Sequence, residues 1–390
     1  REGVSRTAFL KDVLICSLGA YGGPEAHYGV FTDQLVIKKG YLSEEDLIEL
    51  IALTGILPGP SSTQTLVAIG YKMGGPLLAL LTMLVWATPV LIIMAALSFT
   101  GQFLDGLHVS HDILRYVGPM AVGFIAVAAY RIGRKVIRDG MTLVLFLLGA
   151  GITYVIRAPW IFPAVLLAGG FLSMTASKEK DLWQHGPICP PWGYLMAFAG
   201  FATGSLILSM STNHLIVDLF ESFYRYGYLV IGGGQVVVPL MYSELVEIDQ
   251  YMTGPEFLTG FGLVQGLPGP MFSFSAYAGG MAARGQGTLV QILGAMAGGV
   301  AIFLPGLLLI FFVYPVWEQL RKIRGIKVSL SGVTAVAGGL ITSAAIVLMQ
   351  RSGFQPDNLL ILAATALLLL SKKIPSPLIV VMVLAAGIFL

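Results

Sequence analysis

Two tracts of this chain contain no charged residue and are longer than a membrane needs: residues 76–98 (PLLALLTMLVWATPVLIIMAALS) and 288–313 (TLVQILGAMAGGVAIFLPGLLLIFFV). About 20 apolar residues carry a helix across the hydrocarbon core, so each tract can span a bilayer. Composition agrees, because 56% of the 390 residues are hydrophobic and only 11% are charged, against about 25% charged in soluble domains. Further spans are expected at 113–130, 141–156, 159–176, 192–210, 328–349, 358–371 and 376–390, several of them short or Gly-rich. The lipid bilayer is therefore one partner. The net charge of +2 is uninformative, and no nucleic-acid partner is expected.

The first apolar stretch carries Lys11 and Asp12 and lacks a small-residue cleavage site. Insertion is therefore expected through internal spans, without a signal peptide. Cys16 and Cys189 are the two cysteines, and two thiols alone make neither a metal cluster nor a disulfide framework. The five histidines are scattered and no HExxH occurs, so no metal, cofactor or enzymatic chemistry is expected.

Lys and Arg are enriched in short cytoplasmic loops, and three clusters stand out: Arg131, Arg134, Lys135 and Arg138; Lys178 and Lys180; and Arg321, Lys322, Arg324 and Lys327. Placing the first inside makes 113–130 run inward, 141–156 outward and 159–176 inward, which puts the second cluster inside as well. The span at 192–210 then exits and 288–313 runs inward to the third cluster. Lys372 and Lys373 also fall inside. By the same count 76–98 runs outward, and the N-terminus is cytoplasmic.

The tetrapeptide LPGP occurs at 57–60 and again at 267–270, an offset of 267 − 57 = 210. At that offset Gly22 and Gly23 fall on Gly232 and Gly233, Leu35 on Leu245, Tyr41 on Tyr251, Asp46 on Glu256 and Gly70 on Gly280, with no gap over about fifty residues. The spans that follow the two copies run in opposite directions by the charge argument. The expected fold is an all-α polytopic membrane protein of two inverted-topology repeats, residues 1–176 and 214–390. A segment at 177–213 joins them, with a polar linker (SKEKDLWQHGPICPP, 177–191) and one transmembrane helix. Inverted repeats are a recurrent plan of secondary transporters, whose two copies meet near the membrane midplane.

Each LPGP interrupts helix-like sequence. EEDLIELIALTGIL (44–57) precedes the first and SSTQTLVAIGYK (61–72) follows it; neither is long enough to span. Proline disfavours helix in the residue before it and has no N–H, so Pro58, Gly59 and Pro60 should end one half-helix and start another. The result is a re-entrant hairpin or a broken span, tolerable in a membrane only inside protein or beside a watery cavity. The first turn of the second half-helix has N–H groups without backbone partners and carries the positive end of the helix dipole. That position suits an anion. Ser61, Ser62, Thr63 and Gln64 add side-chain donors in the first copy, and Ser273 and Ser275 after Gly269 in the second; alternatively, the hydroxyls only cap their helices.

An earlier element, YGGPEAHYGVF (21–31), is matched by IGGGQVVVPLM (231–241). Its glycines, Gly22 and Gly23 and in the second copy Gly233 and Gly234, either allow close packing or turn N–H groups toward a ligand. Glu25 and His27 are its ionisable pair. Inside a membrane such residues are expensive and functional, and both can exchange protons; at the interface they would cost little. Lys72 and Arg284 end the two hairpins and either attract an anion or snorkel to the interface.

These residues carry a resemblance. GGPEAH, YLSEEDLIELIALTGILPGPSSTQTLVAIGYKMGG, the second-half GGG element, Pro239, Tyr251, Glu256 and QGLPGP with its Gln265 together resemble the chromate ion transporter family in its long, two-domain form. The resemblance covers both repeats and implies an inner-membrane protein that exports chromate, a tetrahedral dianion, by secondary active transport coupled to the proton gradient. It also implies that Gly22, Gly23, Pro24, Glu25, His27, Pro58, Gly59, Pro60, Ser62, Thr63 and Gln64 serve transport. The second copy departs from the first: PMFSFSAYAGGMA stands where the first has PSSTQTLVAIGYK, so the site is expected to be asymmetric. Sulfate or another oxyanion, and a channel in place of a carrier, fit the same architecture. Gly-rich spans such as 294–299 (GAMAGG) offer faces for internal packing or a homodimer.

Overall fold

The computed structural model describes residues 5–108, 110–158, 160–184, 186–231 and 234–390, apart from the side chains of Glu25 and Gln235. Among the described residues all regular structure is helical. The first half runs α1 (Arg6–Gly19), α2 (Pro24–Phe31), α3 (Glu44–Ile56), α4 (Ser61–Leu97), α5 (Thr100–Gly106), α6 (Val117–Val136), α7 (Gly140–Val155) and α8 (Ile161–Ala176). After the non-helical linker comes α9 (Trp192–Thr212). The second half runs α10 (Leu215–Leu229), α11 (Val238–Tyr242), α12 (Gly254–Val264), α13 (Phe274–Ala282), α14 (Thr288–Val313), α15 (Trp317–Leu320), α16 (Arg324–Ser352), α17 (Pro356–Ser371) and α18 (Ser376–Phe389).

Several elements of the first half recur in the second at the offset of 210. A π-helical segment follows α2 at Thr32–Lys38, and another follows α11 at Ser243–Ile248. Both α3 and α12 begin with a capping box: Ser43 with Asp46, and Thr253 with Glu256. Each box satisfies two backbone N–H groups that helix geometry leaves without partners. Helices cover all nine expected spans, but α7, α8, α17 and α18 have 16, 16, 16 and 14 residues. At 1.5 Å per residue these fall short of a bilayer core of about 30 Å. Among the described residues, five helical stretches are long and apolar enough to cross: Ser61–Leu97, His111–Val136, Trp192–Thr212, Thr288–Leu320 and Arg324–Ser352. Many large apolar side chains face outward, among them Leu167, Ile207, Met210 and Leu367, the surface that lipid covers in a polytopic membrane protein.

Two compact units form, each drawing on both halves of the sequence. One comprises Arg1–Phe99, Gly186–Tyr228 and Leu267–Arg321; the other comprises Thr100–His185, Leu229–Gly266 and Lys322–Leu390. In the first unit, α4 is two helices: Gly74 and Gly75 leave helical geometry, Gly75 with φ of 75°. The halves fold back on each other there, so that a Cβ on Gly70 would lie 3.2 Å from the Cα of Ala79. The turn between α13 and α14 repeats this reversal, and a Cβ on Gly279 would lie 2.2 Å from the carbonyl oxygen of Gly294. Backbones this close require small residues on both sides.

In the second unit α16 is the buried centre, flanked by α6, α7 and α8. A Cβ on Gly169 of α8 would lie 2.4 Å from a methyl of Val336, and one on Gly338 would lie 2.9 Å from Val136 of α6. Several arginines of this unit are neutralised: Arg115 by Asp357 at 2.9 Å, and Arg157 and Arg351 by Glu247 at 2.8 and 3.3 Å.

Candidate functional site

The first LPGP is the tip of a helical hairpin. Thr54 of α3 and Thr65 of α4 bring their hydroxyl oxygens to 2.8 Å across it, whereas a continuous helix would separate those residues by about 16 Å. Asp46 and Lys72 form an ion pair of 2.7 Å at the base. Since 46 + 72 and 54 + 65 differ by one, the two half-helices run antiparallel in register. Lys72, expected to attract an anion or to snorkel, therefore sits against Asp46. It holds the Asp46 carboxyl below the usual carboxylate range, chiefly by its hydrogen bond.

At the tip, Gly59 has φ of 133°, a conformation glycine adopts freely and other residues rarely. A Cβ there would also lie 2.6 Å from Gln64 Nε2. Gln64 folds back over the wedge, its Nε2 donating to the carbonyls of Pro58 at 3.0 Å and of Gly306 in α14 at 3.3 Å. These two acceptors fix the amide orientation. The second wedge makes the reciprocal contact: Gly269, with φ of 101°, donates its N–H to the Ala20 carbonyl at 2.9 Å. Its Cα faces Val90 of α4, since a Cβ there would be 3.0 Å from Val90 Cγ1. Both tips thus lie inside one compact unit, each against the interior of the long apolar helix that follows the other. Burial along 57–70 and 267–280 is the same position by position.

Trp86 holds the first half of this arrangement. Its Nε1 donates to Thr63 Oγ1 at 3.0 Å, and its carbonyl accepts from Ser17 of α1 at 2.7 Å. The His27 ring packs edge-on against the indole at 5.2 Å between centroids. His27 Nδ1 shares a hydrogen bond of 2.8 Å with Ser62 Oγ. Gly22 and Gly23, with φ of 88° and 96°, make the turn into α2, where Pro24 takes the first position. Proline is suited there because its missing N–H would have no partner anyway.

Four side-chain atoms in these motifs are buried and have no hydrogen-bond partner among the described residues: His27 Nε2, Gln64 Oε1, Ser273 Oγ and Ser275 Oγ. His27 is 2% exposed and the other three residues 0%. A buried polar atom left unmade costs about 1–3 kcal/mol, and such groups in native proteins call for an explanation. Their chemistry is mixed. The two hydroxyls and, in the tautomer with hydrogen on Nε2, the imidazole are donors; Gln64 Oε1 is an acceptor. The donors among them suit the oxygens of an anion, and the Gln64 oxygen suits a donor such as water.

Of the other expected site residues, Ser61 is half-buried and its carbonyl accepts from Thr65. Arg284 is exposed just beyond α13. Gly234 opens a short 3-10 turn and Gln265 caps the C-terminus of α12, both in the second unit. Gly233 and the side chain of Glu25 lie outside the described residues. Sequence reasoning missed Trp86 and Gly306. Trp86 was signalled only by being an indole in an uncharged span, where its N–H must find a partner once buried.

The sequence signature of the Chromate transporter family matches residues 7–174 and again 217–389. The second match starts 217 − 7 = 210 residues after the first, the same offset as the LPGP pair. The chain is 28% identical over 366 residues to a chromate transport protein of Cupriavidus metallidurans, covering 92% of this chain and 87% of that one. It is 27% identical over 378 residues to a probable chromate transport protein of Synechococcus elongatus, covering 95% and 92%. A chromate transport protein of Pseudomonas aeruginosa is 26% identical over 382 residues, covering 95% and 88%. No solved structure matches the chain. The relatives are named as transport proteins rather than enzymes, and with both halves of the sequence carrying its signature, the chain belongs to the chromate transporter family.

Proposed function

We propose that this protein is a secondary transporter that exports chromate across the inner membrane and binds it at the paired LPGP tips. The observation that carries the reading is three buried groups that can donate and have no partner among the described residues, His27 Nε2, Ser273 Oγ and Ser275 Oγ, all in motifs of one unit. The first tip starts a buried helical segment at Ser61, whose first-turn N–H groups suit oxyanion oxygens. Donors from the tips would replace the hydration that a dianion loses on leaving water. Ser62 and Thr63 position His27 and Trp86, and Gly59 and Gly269 let the backbone turn beside the ligand. Arg284 attracts the anion on approach, while the charge of Lys72 is offset by Asp46. Gly22 and Gly23, in the same unit, complete the set assigned to binding.

The hairpins are re-entrant in this reading, and the two repeats, 1–176 and 214–390, are inverted about the crossing supplied by α9. The distribution of Lys and Arg supports that topology, with the N-terminus cytoplasmic. A dianion moving outward is driven by an inside-negative potential, and proton exchange through Glu25 or His27 adds drive or gates the step. Uptake of labelled chromate into inverted membrane vesicles, with and without a pH gradient and with sulfate as competitor, tests the reading. Proton-dependent uptake that excess sulfate reduces only weakly is expected. Uptake indifferent to the gradient would remove the coupling, and equal competition by sulfate would remove the selectivity for chromate.

A further inference from the structure

The second unit carries a feature that the transport site does not use. An open groove of about 620 Å³ runs along α6 and α16, from Ala126 to Ile137 on α6, a length of roughly 16 Å at 1.5 Å per residue. Its lining is mostly apolar, with Ala126 and Gly133 of α6, Phe146 of α7 and Ile346 of α16 beside the hydroxyl-bearing Thr342. Tyr130 and Ile346 are 54% and 44% exposed, so the groove opens outward from helices that cross the membrane. Arg134 lines the same groove near the end of α6, its guanidinium against the Tyr130 ring and hydroxyl.

The cations at that end differ from three other arginines of the unit. Arg115, Arg157 and Arg351 are each paired with a carboxylate. Among the described residues Arg131, Arg134, Lys135 and Arg138 have none: Arg131 donates to the Leu369 carbonyl, Arg134 to Tyr130 and Arg138 to the Lys135 carbonyl. The neighbouring Asp139 accepts from the N–H and hydroxyl of Thr142. The positive-inside rule accounts for cations in this loop but not for an acyl-sized apolar trough leading to one of them.

We infer that this groove binds an anionic phospholipid, with an acyl chain along Ala126, Gly133 and Ile346 and the phosphate at Arg134. Basic sites between transmembrane helices recognise headgroups in this way. The test uses the full-length protein in detergent, titrated with phosphatidylglycerol, phosphatidylcholine or inorganic phosphate while thermal unfolding and native mass spectra of retained lipid are followed. Phosphatidylglycerol should raise the midpoint saturably and stay bound. Arg134→Gln, an exposed position, should weaken its apparent affinity about fivefold, the weight of one cation at an anionic surface, and Ala126→Phe should abolish retention by filling the trough. Equal protection by phosphatidylcholine, protection by phosphate alone, or unchanged phosphatidylglycerol affinity in Arg134→Gln would overturn the inference.

Discussion

His27 Nδ1 and Ser62 Oγ lie 2.8 Å apart, joining two motifs 35 residues distant in sequence and leaving the other imidazole nitrogen buried without a partner. One face of the ring is thus committed to structure and the other is available to a ligand. The two roles separate by substitution. In His27→Asn the amide can replace Nδ1 toward Ser62 but cannot reach where Nε2 was; in His27→Gln the amide nitrogen reaches nearer that position. Chromate transport should fall roughly tenfold or more in His27→Asn, the weight of a hydrogen bond to a charged group, and less in His27→Gln, with both variants folded. Equal rates in the two variants would count against a contact by Nε2.

Ser273 and Ser275 offer a prediction of opposite signs. Their hydroxyls are buried and unpartnered, so each penalises the ligand-free protein. Ser275→Ala should therefore raise the thermal midpoint slightly, while lowering chromate affinity if the hydroxyl serves the substrate. Thermal unfolding and substrate titration on one preparation read both signs. A loss of stability with affinity intact would make the residue structural.

Gly59→Ala should destabilise by about 1–3 kcal/mol because φ of 133° is strained for a residue with a side chain. The added carbon would also meet the Gln64 amide. Gly269→Ala, at φ of 101° and with Val90 alongside, should do the same. Thermal unfolding in detergent measures each, and a neutral effect at both would contradict the wedge geometry.

The Asp46–Lys72 pair gives a pH signature. The Asp46 pKa is depressed, mainly by Lys72, so the pair contributes stability above the ordinary value of 3.8 that disappears as pH falls through the native pKa. With side chains 32% and 37% exposed, the gain is below about 1 kcal/mol. Wild type should unfold slightly above Lys72→Met near pH 6, and the gap should close on acidification below about pH 3.8. A gap that widens instead would exclude this role.

Much of the first hairpin was legible in the sequence, because proline and glycine act on the backbone locally: LPGP ends α3 and starts α4, and Gly74–Gly75 breaks α4 where the buried half-helix gives way to the uncharged tract. The offset of 210 likewise reappears in matching π-helical segments and capping boxes. The π-helical geometry itself has no local sequence signal. Nor does Trp86, whose importance comes from contacts with Ser17, His27 and Thr63 at separations of 69, 59 and 23 residues. The pairing of Lys72 with Asp46 follows from hairpin register, which became available only once the chain was known to reverse at the wedge rather than continue through it.

The central claim is that a carrier binds chromate at the two wedge tips. Counterflow of labelled chromate into proteoliposomes preloaded with unlabelled chromate tests it most directly, since a channel cannot produce a transient overshoot. Wild-type protein should show the overshoot, and a Ser273→Ala, Ser275→Ala double variant with a normal unfolding transition should lose it. No overshoot in wild type, or an undiminished one in the double variant, would contradict the account.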